Sequence, residues 1–153
     1  MPVRVQVPLR VLKQSECESE SEAHSLCFYF TLTLKLTLSM FDFEKLDIYR
    51  KAKTFNAEVR RFISGSKLDP TTKDQLRRAA FSIVLNIAEG SGRFSKPDRR
   101  NFFIIARSSI FECVAILDVL RDEKIVDDNR YRDFYESAEE ISKMLFSMIR
   151  NLS

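Results

Sequence analysis

Asp69-Pro-Thr-Thr-Lys-Asp-Gln-Leu-Arg-Arg-Ala-Ala-Phe-Ser-Ile-Val-Leu-Asn-Ile-Ala-Glu-Gly90 is the stretch on which the fold turns. Its Asp-Pro opening is a helix start: the Asp69 carboxylate accepts from the unpaired N–H groups of a first turn, and Pro70 presets φ where no N–H is needed. Gly90 reads as the stop. Between them Leu76, Ala79, Ala80, Ile83, Val84 and Ile87 recur every three or four residues and make one apolar face. Phe81 and Leu85 lie off that face, about 100 to 160° around the helix. A helix that is apolar on two sides needs protein on both.

The same punctuation recurs outward from this segment. A helix over 43–64 stops at Gly65. Ser95 opens another in a Ser-Lys-Pro-Asp box, where the Asp98 carboxylate reaches back to the cap, and it runs to about residue 123. Asp127 or Asp128 caps a last helix, which continues to about residue 150. Linkers of about five residues make neighbouring helices antiparallel, which predicts an all-α, up-down-up-down four-helix bundle. The first helix buries Ile48, Ala52, Phe55, Val59, Phe62 and Ile63. The fourth buries Tyr131, Phe134, Ala138, Ile141, Leu145, Met148 and Leu152. The third has a core face of Phe102, Ala106, Ser109, Ile110, Cys113, Ile116, Leu117 and Leu120, with Ile104, Phe111 and Ala115 nearly opposite. Second apolar faces on both middle helices predict self-association, with Phe81, Leu85, Ile104 and Phe111 in the contact.

Composition agrees. The chain has 153 residues and is 44% hydrophobic, enough for one domain with a real core. Three Gly and four Pro argue against a turn-rich sandwich or barrel. Residues 1–39 read differently. Val3, Val5, Val7 and Leu9 alternate with polar residues, Glu16, Glu18, Glu20 and Glu22 follow, and Phe28, Phe30, Leu32, Leu34, Leu36 and Leu38 alternate again. This pattern nominally predicts strands without partners. Two readings fit: a disordered or edge-pairing extension, or an upstream stretch read in frame with translation starting at Met40. The second is favoured, because helix grammar begins immediately after Met40. No run approaches the about 20 apolar residues of a membrane span.

The only His, His24, and two of three cysteines, Cys17 and Cys27, fall in residues 1–39. Residues 40–153 thus hold no His, which excludes His-based acid–base catalysis, Ser-His-Asp triads and the Glu-x-x-His pairs of di-iron bundles. Cys113 reads as a core filler without a catalytic partner. Gly90-Ser-Gly92 follows a helix and is too short for a phosphate loop. No catalytic residue, metal site or cofactor is expected, and the cysteine usage suits a reducing cytoplasm.

Charge is uneven within a net of +3: residues 67–107 carry +5 and residues 108–153 carry −4. Basic density peaks at Arg93, Lys96, Arg99 and Arg100, with Arg77 on the preceding helix, the residue types and setting of a phosphate contact. On one chain a solvated turn, with Arg77 or Arg78 paired to Asp74, is the simpler reading. Repeated around a ring, the patch becomes a polyanion site. A polar line of Arg78, Ser82, Asn86 and Glu89, with Ser108 and Glu112 opposite, predicts a structural Arg–Glu and amide network that fixes register or subunit contacts; a ligand pocket is the alternative.

Gln75-Leu-Arg-Arg-Ala-Ala-Phe-Ser82, then Asn86-Ile-Ala-Glu-Gly90 and Arg93, closely resembles the signature of the four-helix bundle proteins of bacterial 23S rRNA intervening sequences. Phe43-Glu-Lys-Leu-Asp-Ile-Tyr-Arg-Lys-Ala52 and Phe103-Ile-Ile-Ala-Arg-Ser-Ser109 with Glu112 are similar to that family's first and third helices. Ser108 departs from it, standing where the family has Gly at a close helix approach. The resemblance implies a ring, with a homopentamer the expected arrangement. It extends to the accessory proteins of diversity-generating retroelements, which implies nucleic acid and a protein as partners. Two functions follow: a non-enzymatic RNA- or DNA-binding ring, or a protein-interaction scaffold without direct nucleic-acid contact.

Residues 1–39 are expected to be dispensable. A chain starting at Met40 should melt within about 2 kcal/mol of the full chain; a larger loss would show that the segment packs on the bundle.

Overall fold

A 3-10 turn, Asp42–Lys45, leads into α1 (Asp47–Gly65), α2 (Pro70–Ser91), α3 (Lys96–Asp122) and α4 (Asp128–Arg150). The structure, a computed structural model, describes residues 41–153; the expected extension over 1–39, with Cys17, His24 and Cys27, lies outside them. Each helix packs on the two beside it and the diagonal pairs do not approach, as expected of the up-down-up-down bundle. No helix among the described residues is long and apolar enough to cross a membrane.

Local chemistry sets the boundaries. Asp69 accepts from the N–H groups of Thr71 (2.9 Å) and Thr72 (3.0 Å), and the Thr72 hydroxyl, followed by these N–H groups, holds its carboxyl below its ordinary pKa. Ser95 Oγ accepts from Asp98 N–H at 3.2 Å and donates to the Asp98 carboxylate at 2.8 Å, so the box closes through the hydroxyl rather than through the cap's own N–H. Asp127, not Asp128, caps α4 by accepting from Arg130 N–H at 3.0 Å. The first helix starts later than its spacing suggests. Leu46 is extended (φ −75°, ψ 123°) and offers no side-chain cap. Phe43 instead packs edge-on against Tyr49 at 4.8 Å and stacks on Phe41 at 5.6 Å, folding the 3-10 turn back over the first turn of α1.

The core is close to the expected one. Ile48, Ala52, Phe55, Val59 and Phe62 of α1 meet Phe134, Ala138, Ile141 and Leu145 of α4, with the Phe134 ring edge-on to Phe55 (6.3 Å) and Phe62 (5.9 Å). Every expected core residue of α2 is buried. On α3 the expectation is corrected: Phe103, 1% exposed, is the core residue, while Phe102 is half-buried. Phe103 packs against Gly90 of α2, and the core positions from Ala106 to Cys113 fall where expected. Leu68 and Val126, both in linkers, also close the core. Burial pushes the Cys113 thiol up to about 12, which suits a core filler and not a nucleophile.

Gly65 is the last residue of α1 and Gly92 the C-cap of α2, so both stand at helix ends, but without the left-handed backbone of a glycine stop. No glycine has a positive φ. Gly90 lies inside α2, where a Cβ would stand 2.7 Å from Cε1 of Phe103 and 3.0 Å from Cβ of Phe102. The left-handed residue that does end a helix is Lys124 (φ 59°), after α3. The N–H groups of Ile125 (2.9 Å) and Val126 (3.1 Å) return to the Leu120 carbonyl, and Val126 is drawn into the core.

Gly90→Ala isolates the close approach. Helix propensity alone would add about 1 kcal/mol, whereas overpacking against a fixed ring costs about 1–3 kcal/mol. A lower urea midpoint at unchanged slope is expected; an unchanged or higher midpoint would show that Phe103 yields.

Candidate nucleic-acid interface

The turn between α2 and α3 is held from both sides. Gly92 N–H bonds back to the carbonyls of Ala88 and Glu89, and Arg93 N–H to that of Gly90 at 3.2 Å. From α3, Arg99 Nη2 donates to the Arg93 carbonyl at 2.8 Å. The Arg93 guanidinium lies 4.4 Å over the Phe102 ring and its Nη2 is 3.8 Å from Glu89. Phe94 is fully exposed at the tip. The carbonyl end of α2 and the N–H end of α3 meet here, so their dipoles oppose and the positive field comes from side chains.

Ion pairing separates the basic residues. Arg77 pairs with Asp74, and Arg78 stands 3.8 Å from the same carboxylate. Lys96, Arg99 and Arg100 have no carboxylate within 4.0 Å among the described residues, and Asp98, the acid beside them, is engaged by Ser95. Arg99 and Arg100 are half-buried, with each Nε enclosed and without a hydrogen-bond partner among the described residues. Arg99 also lines a cleft of about 400 Å³ with Leu46, Phe103, Met148 and Leu152. Arg77 stands apart from the other four: fourteen residues at 1.5 Å rise put it about 21 Å from the end of α2.

The expected polar network is divided. Ser82 and Ser109 share a hydroxyl–hydroxyl hydrogen bond of 2.9 Å between α2 and α3. Asn86 Nδ2 donates to the Ser82 carbonyl (2.8 Å) and hydroxyl (3.0 Å). Glu112 accepts from Gln75, a residue the polar line left out, although Gln75, Ser82 and Asn86 fall within about 40° on α2. Arg78 and Glu89 join neither group, pairing instead along α2 with Asp74 and Arg93. Ser109, not Ser108, supplies the α3 hydroxyl that meets Ser82, and Ser108 is exposed.

The second apolar faces point outward but diverge. Phe81, Leu85, Ile104 and Phe111 are 40–54% exposed. The Arg60 guanidinium lies 5.6 Å over Phe81 from the α1 side, and Arg107, which reaches α4, lies 4.9 Å over Phe111. Leu85 and Ile104 are exposed with them, and so is Ile105, which the pattern did not single out. The sequence reading also passed over Phe146, 47% exposed on α4. Its signal is a large aromatic immediately after the core position Leu145.

A family model described as 23S rRNA-intervening sequence protein matches residues 44–147. The chain belongs to this family. The match takes in all four helices up to the last turn of α4, and with it the basic turn and the outward-facing residues. Among solved structures the chain is similar to a protein of unknown function from the S23 ribosomal protein family of Bacteroides thetaiotaomicron VPI-5482, at 24% identity and a TM-score of 0.63, covering 67% of this chain and 97% of that one. At that identity the likeness speaks for the fold. Comparison with curated proteins gives no match.

Proposed function

We propose that this intervening-sequence protein is a non-enzymatic, ring-forming nucleic-acid-binding protein whose α2–α3 turn contacts phosphates. One observation carries the reading. Lys96, Arg99 and Arg100 lack acidic partners among the described residues, whereas Arg77 is paired with Asp74. Cations not paired with a carboxylate keep more of their attraction for a polyanion, and guanidinium groups fit phosphate through two parallel hydrogen bonds. Arg93 joins them, because its exposed contact with Glu89 is long and exchangeable. RNA and DNA both offer this backbone, so recognition is weakly sequence-dependent. Arg77, paired and remote, is left out of the site. The cluster Ser82, Asn86 and Ser109 has a structural role, fixing α2 on α3.

The ring supplies repetition. Leu85 and Ile104 form the centre of the self-contact with Phe81 beside them, while Phe111, turned toward α4 under Arg107, is left out of it, and a homopentamer is the arrangement the family resemblance implies. Copies of the turn around a closed ring sum their potentials.

Both parts are testable. Replacing Lys96, Arg99 and Arg100 by Gln should leave the helical signal and the assembly intact. It should also flatten the dependence of log affinity on log salt by about 0.7 to 0.9 for each phosphate no longer neutralised. If the parent binds neither RNA nor DNA at about 50 mM salt, or the triple variant binds like the parent, the protein-scaffold reading replaces this one. Separately, Leu85→Asp with Ile104→Asp should place unpaired charges in the contact and reduce the mass seen by light scattering to that of a monomer. A parent that is already monomeric would overturn the ring.

A further inference from the structure

The groove between α3 and α4 carries a ladder of alternating cations and aromatic rings that the basic turn does not use. The Arg107 guanidinium sits between two rings, 4.9 Å from Phe111 and 5.4 Å from Phe146. Its Nε donates to Ser142 Oγ on α4 at 3.3 Å, which fixes its plane and leaves its other N–H donors uncommitted. Arg150, one helical turn after Phe146, also lies 5.9 Å from the centroid of that ring. Neither arginine has a carboxylate within 4.0 Å among the described residues. Both rings stay about half exposed, Phe111 at 54% and Phe146 at 47%. Along α3, Arg100 and Arg107 fall within about 20° at 100° per residue, so this ladder continues from the basic turn.

We propose that this groove binds single-stranded nucleic acid, with Phe146 and Phe111 as stacking platforms for unpaired bases and Arg107 and Arg150 on the intervening phosphates. The proposal rests on the nucleic-acid reading above and adds the strandedness of the ligand. Charge selects the occupant. An apolar protein partner would bury two guanidinium groups without acids to meet them, at a large desolvation penalty. A polyanion supplies those counter-charges along its whole length. The rings then select among polyanions. A base in a duplex already has its faces covered, whereas an unpaired base offers a free π-face to an exposed ring, and the cation beside the ring adds to the attraction. Because every base has such a face, the platform favours single strands over duplexes without reading sequence.

Fluorescence anisotropy on the full chain at about 100 mM salt provides the test, with an end-labelled single-stranded RNA of about 20 nucleotides as one probe and its perfect duplex as the other. The parent should bind the single strand more tightly. Phe146→Ala and Phe146→Leu should each weaken single-strand binding by about fivefold or more. Both should leave duplex binding unchanged, and Phe146→Tyr should behave like the parent. Arg150→Gln should reduce the single-strand salt slope by about 0.7. If duplex and single strand bind alike, or Phe146→Leu stays within about twofold of the parent, the platform is wrong and phosphate contact at the turn still stands. If Phe146→Leu changes the mass of the assembly, the groove is a subunit contact and the platform is overturned. If the parent binds neither probe, both proposals fall together.

Discussion

The approach of α2 to α3 is the constraint on which the rest depends. It is made by what is missing: Gly90 has no Cβ where one would strike the Phe103 ring, and Ala79, Ala80 and Ala106 are all fully or nearly fully buried. Ser82 and Ser109 then join the two helices by a hydroxyl pair, which satisfies polar groups that would otherwise be costly inside the seam. Two long helices held this tightly at their shared end leave room for only a short connection. That connection is the basic turn, so the position of its arginines follows from the packing behind them.

Position along the helices also decides which cations are neutralised. The first turns of α2 contain Asp74, one helical turn before Arg77 and Arg78, and the pairs form locally. At the start of α3 the acid is Asp98, and the Ser95 cap already holds it. A capping interaction worth about 1 kcal/mol thus withholds the one carboxylate that stands amid Lys96, Arg99 and Arg100. Surface ion pairs contribute about 0–1 kcal/mol, so the long Arg93–Glu89 contact is weak competition for a phosphate.

Much of the fold was legible because the helix ends carry explicit chemistry. Asp69, Ser95 and Asp127 act as caps, and the three- and four-residue spacing of Leu76, Ala79, Ile83 and Ile87 describes a face that is in fact buried. The misses have physical causes. Phe102 and Phe103 are both large and apolar, and only the crossing of α3 with its neighbours decides which enters the core. Gly90 looked like a stop because a glycine needed for closeness and a glycine needed for a left-handed turn are the same letter. The polar residues were traced on each helix by itself, with Ser108 and Glu112 set opposite the α2 line, and periodicity within single helices cannot tell that Ser82 meets Ser109 or that Gln75 reaches Glu112. Arg107 and Phe146 went unnoticed for the same reason, since their pairing exists only once α4 lies beside α3.

Lys124 carries a consequence for how the bundle tolerates change. Its left-handed backbone is an uphill conformation for a side chain with a Cβ, by about 1–2 kcal/mol. It is retained because two N–H groups close on the Leu120 carbonyl and Val126 drops into the core. The α3–α4 connection is therefore a clasp of fixed length, and one inserted residue would carry Val126 out of its socket and shift the register of all of α4. Around Gly65 there is open space instead, with nothing that a Cβ would meet. The α1–α2 connection, before Leu68, is where a peptide tag or a fused domain can be threaded into the chain without disturbing the clasp at the other corner.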